Sequence, residues 1–342
     1  MRADDFDYRL PETAIAQHPI EPRSSARMLV DLDPGVSPGH VTVAALPDLL
    51  RAGDVFVVNE TRVLPARLSL SKTSGGAAEV FLLEADGARP DGRHWTALVR
   101  PGRRLPTGTL LVGRDGTPVV EVGAAIDDEG RRRVLLLADP ADHGTVPLPP
   151  YIHEALADPE RYQTVYARTI GSVAAPTAGL HLTDEVLEAI RMRGVAVHTV
   201  DLAVGLGTFR PITVDDLGDH TMHEERYAIP EATLEACRAA RASGGRVIAV
   251  GTTTVRALES AVARQALEGR TDLFIQPGFS FQVVDVLVTN FHLPKSSLLV
   301  MLSAFIGHDR WRRLYDVALA EGYRFLSFGD CMLVSRAPDV GT

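Results

Sequence analysis

The sequence predicts a mixed α/β fold that is interrupted by an inserted all-β barrel. Short apolar stretches separated by turn residues fill the second quarter of the chain, whereas strands alternate with helices after it. The length of 342 residues also suits two domains of ordinary size. We therefore expect a discontinuous main α/β domain over 1–65 and 151–342, with the barrel over 66–150.

The predicted barrel segment contains apolar stretches of strand length and shows no helical periodicity. Asp-Gly, Pro-Gly and Glu-Gly pairs separate these stretches, and such pairs favour tight turns. The stretches cover 66–70, 78–83, 95–99, 119–122 and 134–137. Pro147, Pro149 and Pro150 end the segment, because proline lacks a backbone donor and has a fixed φ.

The rest of the chain predicts the strands and helices of a main sheet. Thr183 is a helix cap followed by acidic residues in the first turn, and Gly194 follows the end of this helix. The other predicted helices cover 231–242, 254–267 and 296–306. The predicted strands cover 54–58, 195–204, 247–250 and 283–288.

The composition indicates a folded, soluble protein of the cytoplasm. Hydrophobic residues make up 45% of the chain and charged residues 23%, which excludes disordered and collagen-like chains. The two cysteines form no CxxC pair, so no disulfide framework is expected. Acidic residues near the N-terminus argue against a signal peptide, and the longest apolar run, 298–306, is too short to span a bilayer.

The net charge of −9 argues against nonspecific coating of nucleic acid, because affinity for phosphates comes from Lys and Arg. A polynucleotide could dock only where basic residues cluster. Such clusters are Arg100, Arg103 and Arg104; Arg131, Arg132 and Arg133; and Arg310, Arg312 and Arg313. The alternative is that these runs are simply solvated.

Polar residues follow the predicted strand 247–250, and ligands of open α/β sheets bind beyond the carboxyl ends of strands. This exit contains Gly251, Thr252, Thr253 and Thr254, with Arg256 one turn further on. Hydroxyls, a guanidinium and the unpaired N–H groups of a helix start suit a carboxylate or a phosphate. A threonine cap beside a solvated arginine is the alternative.

Two further strand exits carry candidate ligand groups. The exit over 289–297 offers the amide of Asn290, the imidazole of His292 and the ammonium of Lys295. The exit after 195–204 contains Gly205 and Gly207 but no following long helix, so the dinucleotide fingerprint is absent. These glycines either let a ligand approach the backbone closely or only turn the chain.

His220 and His223 lie beside two glutamates. A zinc site needs a third ligand at a recognisable spacing, and the sequence contains neither HExxH nor CxxC. We therefore expect no metal. An imidazole that is polarised by a neighbouring carboxylate is instead a candidate general acid or base.

Long strings of residues resemble the S-adenosylmethionine:tRNA ribosyltransferase-isomerase family of queuosine biosynthesis. The resemblance extends over essentially the whole chain. The strings are FDYRLP (6–11), NETRVLPAR (59–67), PLPPYI (147–152), RYQTVYA (161–167), VAAPTAGLH (173–181), GTFRP (207–211), HTMHE (220–224), AVGTT (249–253), TNFHLPKS (289–296) and GDCML (329–333).

The resemblance implies an α/β domain with an inserted β-barrel, and it implies a reaction. The ribosyl part of S-adenosylmethionine is transferred to the aminomethyl group of a 7-deazaguanine base in the tRNA anticodon loop and is isomerised. The product is epoxyqueuosine, and adenine and methionine leave. S-adenosylmethionine is a consumed co-substrate, so no cofactor is expected; the partners are tRNA and this donor, and the protein is expected to be a monomer.

Imidazoles suit the proton transfers of this reaction because their pKa lies near working pH. The catalytic candidates are His181, His223 and His292, with Asp330 as a further carboxylate. The candidate substrate-binding residues are Arg62, Arg67, Tyr162, Gln163, Thr177, Gly205, Gly207, Thr208, Gly251, Thr252, Thr253, Thr254, Arg256, Asn290 and Lys295.

Three positions depart from the residues usual in the family. Ala203 stands where histidine is usual, Phe328 where tyrosine is usual, and Leu182 where phenylalanine is usual. Three other functions stay open. A methyltransferase shares the S-adenosylmethionine donor and a glycine-containing strand exit, and Ala203 leaves open an inactive tRNA-binding protein. The third is an enzyme that modifies a small amine or a free deazaguanine.

Overall fold

The computed structural model describes residues 1–86, 92–127, 130–205 and 211–338, without the side chain of Arg103. Its strands are β1 (Arg27–Asp31), β2 (Gly39–Thr42), β3 (Val55–Asn59), β4 (Thr61–Val63), β5 (Arg67–Lys72), β6 (Ala77–Ala85), β7 (His94–Arg100), β8 (Leu110–Val112), β9 (Pro118–Ala125), β10 (Arg131–Leu136), β11 (Gly144–Thr145), β12 (Thr169–Ser172), β13 (Ala196–Leu202), β14 (Glu225–Ala228), β15 (Val247–Val250), β16 (Glu268–Thr271), β17 (Val286–Asn290) and β18 (Cys331–Ser335). Its α-helices are α1 (Leu46–Leu49), α2 (Pro140–His143), α3 (Asp184–Met192), α4 (Glu231–Ala242), α5 (Thr252–Arg264), α6 (Ser297–Ile306) and α7 (His308–Ala320).

The chain divides into two compact units. The first comprises Met1–Thr61, Pro149–Thr169 and Ala175–Thr342, and the second comprises Arg62–Leu148 and Ile170–Ala174. The second unit starts a few residues before the predicted boundary and takes in a short later segment of the chain.

The first unit contains a nine-stranded mixed sheet in the order β16-β14-β13-β3-β15-β17-β18-β1-β2. Strands β13, β3, β15 and β17 run parallel to one another. Strands β3, β15 and β17 are buried along their whole length, as expected for the centre of a sheet that carries helices. The carboxyl ends of these strands therefore meet at one edge.

The helices of this unit largely follow the sequence signals. Helix α4 has the predicted bounds, and Thr183 caps α3 by accepting a hydrogen bond from the N–H of Val186. Helix α5 begins at Thr252 rather than Thr254 and ends at Arg264, because Gln265 adopts a left-handed conformation with φ 52°. Residues 265–267, which were predicted to be helical, form a turn, and the edge strand β16 begins directly after them.

The sequence did not reveal helix α7 or strand β18. Strand β18 runs antiparallel to β17, with Cys331 opposite Asn290. The segment before β18 is thereby placed at the edge where the parallel strands end.

The second unit is a closed barrel. Strands β5, β6, β7, β10, β9 and β8 pair in that order, and β5 also pairs with β8. The short strand β8 closes the ring and was not among the predicted strands. The predicted fold class, an α/β domain with an all-β barrel, is confirmed.

Arg132 corrects the predicted nucleic-acid surface of the barrel. Its side chain is 9% exposed, and its guanidinium donates hydrogen bonds to the carbonyls of Gly123 and Leu105. The neighbouring Arg131 forms an ion pair with Asp127, and Arg133 is exposed. Arg132 therefore holds the barrel together, and only its exposed neighbours can meet a polynucleotide.

Arg310, another residue of the predicted basic clusters, is also buried and so cannot dock a polynucleotide. It is 8% exposed and forms an ion pair with the buried carboxylate of Asp31. Arg312 lies over the ring of Trp311 and donates to the carbonyl of Asp5. Arg313, the third basic residue at this end of the chain, is 3.6 Å from the same carboxylate of Asp31. Within the described ranges, no helix has both the length and the apolar character needed to cross a membrane.

Candidate active site

A pocket lies in the first unit and contains residues that follow β15 and β17. Its lining consists of Tyr151, Ala175, Pro176, Thr177, Ala178, Val204, Gly251, Thr252, Thr253, Thr289, Asn290, Phe291, His292, Leu293, Ser296, Leu298, Leu326 and Ser327. Thr177, Gly251, Thr252, Thr253, Asn290 and His292 of the predicted site are thus brought together.

The exit of β15 forms one wall of the pocket. Gly251 has φ 86°, a left-handed conformation that glycine adopts without strain, and α5 begins directly after it. Thr254 donates to the carbonyl of Val250 at 2.6 Å, and Thr253 accepts a hydrogen bond from the buried amide of Asn59 at 3.3 Å. The first N–H groups of a helix lack partners within it, so this wall offers donors for an anionic group.

Asn290, at the end of β17, connects three parts of the site. Its Oδ1 accepts from the hydroxyl of Thr177 at 3.1 Å, and its Nδ2 donates to the carbonyl of Leu326 at 3.2 Å. Its Nδ2 also lies 3.1 Å from Nε2 of His181. Because an amide nitrogen only donates, His181 accepts at Nε2 and carries its proton on Nδ1. His181 is not part of the lining and contacts it through Asn290.

His292 lines the pocket directly. Its Nε2 lies 2.9 Å from the hydroxyl of Thr289, and its backbone N–H donates to the hydroxyl of Tyr315 at 2.8 Å. Burial lowers the pKa of His292 to about 3. Burial, with the charges of three nearby arginines as a smaller cause, lowers the pKa of His181 to about 3 as well. Both imidazoles are therefore neutral at physiological pH.

These two depressed pKa values predict that the protein loses stability as the pH falls. An unfolded histidine titrates near 6.5, so between pH 6.5 and about 3 the unfolded chain binds more protons than the folded chain. We expect the free energy of unfolding to fall by up to about 1.4 kcal/mol per pH unit for each histidine. Urea unfolding at pH 7.5 and pH 5 measures this change.

His292→Gln is the matched variant for that measurement, because it removes one titrating group and keeps a side chain that can bond to Thr289. We expect it to show a smaller loss of stability between the two pH values than the wild-type protein. Equal losses in both proteins would contradict the low pKa of His292.

The described part of the pocket wall carries no charged side chain. Among the lining residues that the structure describes, none carries a carboxylate, an ammonium or a guanidinium group. Recognition of a charged ligand in this pocket would depend on N–H groups, hydroxyls, an imidazole and aromatic rings. In the same described ranges, no group of three or more His, Cys, Asp or Glu could hold a metal ion.

Arg256 is a correction to the predicted anion pocket. Its guanidinium is buried and forms an ion pair with the buried carboxylate of Glu225. It also donates to the carbonyl of Leu273 at 3.2 Å, and Glu225 accepts from the N–H of Gly205 at 2.9 Å. Arg256 is therefore part of a structural ion pair and is not among the residues that line the pocket.

Three other predicted polar residues lie outside the pocket lining. Lys295 is bound to Asp4 and Asp7 through ion pairs of 2.7 and 3.2 Å. Asp330 accepts hydrogen bonds from the backbone N–H groups of Arg27 and Arg324, which anchors the start of β18. His223 is exposed.

The other predicted substrate-binding residues do not line the pocket either, as far as the structure describes them. Tyr162 and Gln163 are buried, with the ring of Tyr162 edge-on to that of Phe328. Arg62 lies on β4 and Arg67 on β5, both in the second unit. Nε of Arg67 is 3.8 Å from Oε2 of Glu79. Gly207 and Thr208 lie outside the described residues.

Sequence reasoning missed several lining residues, above all Tyr151, Thr289 and Ser327. Thr289 precedes Asn290, Ser327 lies three residues before Asp330, and Tyr151 follows the prolines that end the barrel segment. A hydroxyl near a strand end is too common a signal to select these residues without the fold.

Comparison with known proteins gives a consistent result. Residues 3–334 match the family model described as queuosine biosynthesis protein. A relative from Symbiobacterium thermophilum, named S-adenosylmethionine:tRNA ribosyltransferase-isomerase, is 48% identical over 98% of this chain and 100% of its own length. A Thermus thermophilus relative of the same name is 49% identical over 96% of this chain and 98% of its own.

A solved structure is similar over the same extent. The S-adenosylmethionine tRNA ribosyltransferase from Thermotoga maritima matches with a TM-score of 0.55 and 34% identity. The match covers 96% of this chain and 99% of that chain.

Proposed function

This chain belongs to the queuosine biosynthesis protein family, and from that membership we propose the reaction that it catalyses. It transfers the ribosyl moiety of S-adenosylmethionine to the aminomethyl group of 7-aminomethyl-7-deazaguanine in tRNA and isomerises it. The products are epoxyqueuosine-tRNA, adenine and methionine. The observation that carries this proposal is near-half identity over almost the full length to relatives named for this activity.

The pocket supports binding of the donor. The methionine carboxylate would lie at the N–H groups that start α5, beside the hydroxyls of Thr252 and Thr253. Ser296, which caps α6, lines the same pocket. Two helix starts therefore contribute positive ends of backbone dipoles to a wall whose described residues carry no charged side chain. This arrangement favours one anionic group without requiring Arg256.

The chemistry needs a proton acceptor and no metal. The sulfonium of the donor acidifies the adjacent 5′ carbon and makes methionine a good leaving group. A base takes the 5′ proton, and adenine leaves from the 1′ carbon with a proton. The neutral acceptor amine forms the new C–N bond to the ribosyl group and loses a proton, and methionine leaves with the electron pair of its bond to the 5′ carbon. We assign the proton acceptor to His292, because this histidine lines the pocket. His181 orients Asn290 and is a positioning residue.

Exposed arginines of the barrel would meet the tRNA. We expect Arg104→Glu together with Arg133→Glu to weaken tRNA binding and to flatten its dependence on salt. The slope should fall by about 0.7 for each single-stranded phosphate contact that is lost, because fewer counterions are released on binding. Filter binding at a series of salt concentrations measures the slope. The buried Arg132 is left intact, so the barrel keeps its internal hydrogen bonds.

The matched control is Arg191→Glu, a charge reversal at a half-exposed arginine of α3 in the other unit. We expect the control to bind tRNA with the wild-type slope, and donor affinity to be unchanged in both proteins. If the barrel variant and the control behave alike, the docking surface lies elsewhere.

Product analysis tests the proposed reaction against its alternatives. The wild-type protein is incubated with S-adenosylmethionine and tRNA that bears the aminomethyl-deazaguanine base. We expect adenine and methionine to be released. S-adenosylhomocysteine would indicate a methyltransferase, tRNA binding without adenine release would indicate an inactive binding protein, and turnover of the free base alone would indicate a small-molecule acceptor.

A further inference from the structure

The string FDYRLP (6–11) resembles the family, but none of its residues is among the described residues of the pocket lining. The structure places this N-terminal segment against the loop that follows β17 and carries His292. The backbone N–H of Lys295 donates to the carbonyl of Phe6 at 3.0 Å, and Nζ of Lys295 lies 2.7 Å from a carboxylate oxygen of Asp4. The segment is therefore bound to the loop both by its backbone and by an ion pair.

His292 lies in an irregular part of this loop. Strand β17 ends at Asn290, and helix α6 begins only at Ser297. A reacting side chain on a loop is placed less precisely than one on a strand or a helix, unless surrounding groups hold it in position. The position of the His292 imidazole therefore depends on contacts from other parts of the chain.

Two tyrosine hydroxyls hold the backbone of His292. Oη of Tyr8 donates to the carbonyl of His292 at 2.5 Å, and the N–H of His292 donates to Oη of Tyr315 at 2.8 Å. A carbonyl oxygen only accepts, and burial raises the pKa of Tyr8, which keeps the proton on the phenol for this contact. The peptide groups on both sides of His292 are thus held, while Thr289 contacts its ring at Nε2.

The rings of the two tyrosines are packed independently of these hydrogen bonds. The ring of Tyr8 lies edge-on to that of Tyr315, with centroids 5.1 Å apart, and edge-on to that of Trp311 at 6.4 Å. Tyr315 also lies edge-on to Phe291 at 5.5 Å, and such pairs of rings attract one another. Replacing either tyrosine with phenylalanine therefore removes a hydrogen bond to His292 and keeps the packing of the ring.

We propose that Tyr8 and Tyr315 are positioning residues, which place the imidazole of His292 to take the 5′ proton of the donor. This inference rests on the proposed function, because that function assigns the proton acceptor to His292. In the transfer the proton moves from the 5′ carbon to an imidazole nitrogen, and the electron pair of the C–H bond stays on the carbon.

The two tyrosines act on the reaction through His292. Neither of them is among the described residues of the pocket lining, so neither is expected to contact the donor. Misplacing a reacting group by about 1 Å can lower a rate by about 100-fold. Loss of either hydroxyl should therefore slow the reaction and leave the affinity for the donor unchanged.

Kinetics and binding of Tyr8→Phe test the proposal. Single-turnover release of adenine from saturating donor and tRNA measures the rate, and calorimetric titration with S-adenosylmethionine measures the affinity. We expect the rate to fall by about tenfold or more and the affinity to equal that of the wild type. Tyr315→Phe should give the same pattern, and it is the second variant if Tyr8→Phe fails to fold.

A double variant separates positioning from a general structural role. In a protein that already carries His292→Gln, no imidazole is left for Tyr8 to position. We therefore expect Tyr8→Phe to slow adenine release no further in that background. Loss by the same factor in both backgrounds would overturn the proposal. A wild-type rate in the single tyrosine variants, or a loss of donor affinity that matches the loss of rate, would overturn it as well.

Tyr227→Phe is the matched control, because it also removes a phenol that donates to a backbone carbonyl, that of Ala266 at 3.2 Å. Tyr227 is outside the described pocket lining, so we expect the wild-type rate and affinity. Adenine release by the wild type separates this inference from the proposed function. Release by the wild type without the expected losses in the tyrosine variants overturns only the inference, whereas no release by the wild type overturns the proposed function and the inference with it.

Discussion

Replacing His292 with glutamine is expected to lower the rate of adenine release by about 100-fold or more, the usual effect of removing a general acid or base. Glutamine has a similar volume and can keep a hydrogen bond to Thr289, but it cannot accept the 5′ proton. Single-turnover release of adenine from saturating donor and tRNA measures the effect. The melting temperature should stay close to that of the wild type.

His198→Ala is the control for this experiment, because His198 lies on β13 outside the pocket lining. We expect it to turn over at nearly the wild-type rate. Near-normal release by His292→Gln would show that His292 is not the proton acceptor. In that case His223, which the sequence also suggested, becomes the next histidine to test.

Replacing Arg256 with alanine is expected to destabilise the protein by about 3–5 kcal/mol, because it leaves the buried carboxylate of Glu225 without its partner. If Arg256 bound the substrate, its replacement would instead lower the affinity for the donor and leave the stability unchanged. Urea unfolding at pH 7.5 and donor titration distinguish these outcomes. Stability equal to the wild type would contradict the structural role of the pair.

The double variant Arg256→Met with Glu225→Gln provides the control. It removes both charges and keeps similar volume, so we expect it to lose less stability than Arg256→Ala. Since Glu225 also accepts from the N–H of Gly205, part of the loss should remain.

The sequence predicted the fold class and most elements of the main sheet because burial leaves simple patterns. The buried strand β15, the capped helix α3 and the helix α4 have periodicity and end signals that depend on neighbouring residues only. Strand β8 is three residues long and closes the barrel by pairing with the distant strand β5, so this role has no local signal.

The candidate site was predictable where residues follow parallel strands, as for Thr252, Thr253, Asn290 and His292. It was not predictable where the outcome depends on a distant partner. In the sequence Arg256 is typical of an anion ligand, but in the structure β14 places Glu225 against it. Arg132 is typical of a surface charge in the sequence, but in the structure it donates to a backbone carbonyl of the barrel. Tyr151 and Ser327 come together only through the fold.

Transfer of a ribose label is the most direct test of the central claim. The protein is incubated with S-adenosylmethionine labelled with ¹³C in the ribose, with tRNA bearing the aminomethyl-deazaguanine base, with and without EDTA. Mass spectrometry then follows the label in the digested tRNA. We predict that the label enters the modified nucleoside while adenine and methionine appear in equal amounts, and that EDTA has no effect. An unlabelled nucleoside with accumulating S-adenosylhomocysteine would contradict ribosyl transfer, and activity that EDTA abolishes and zinc restores would contradict metal-free catalysis.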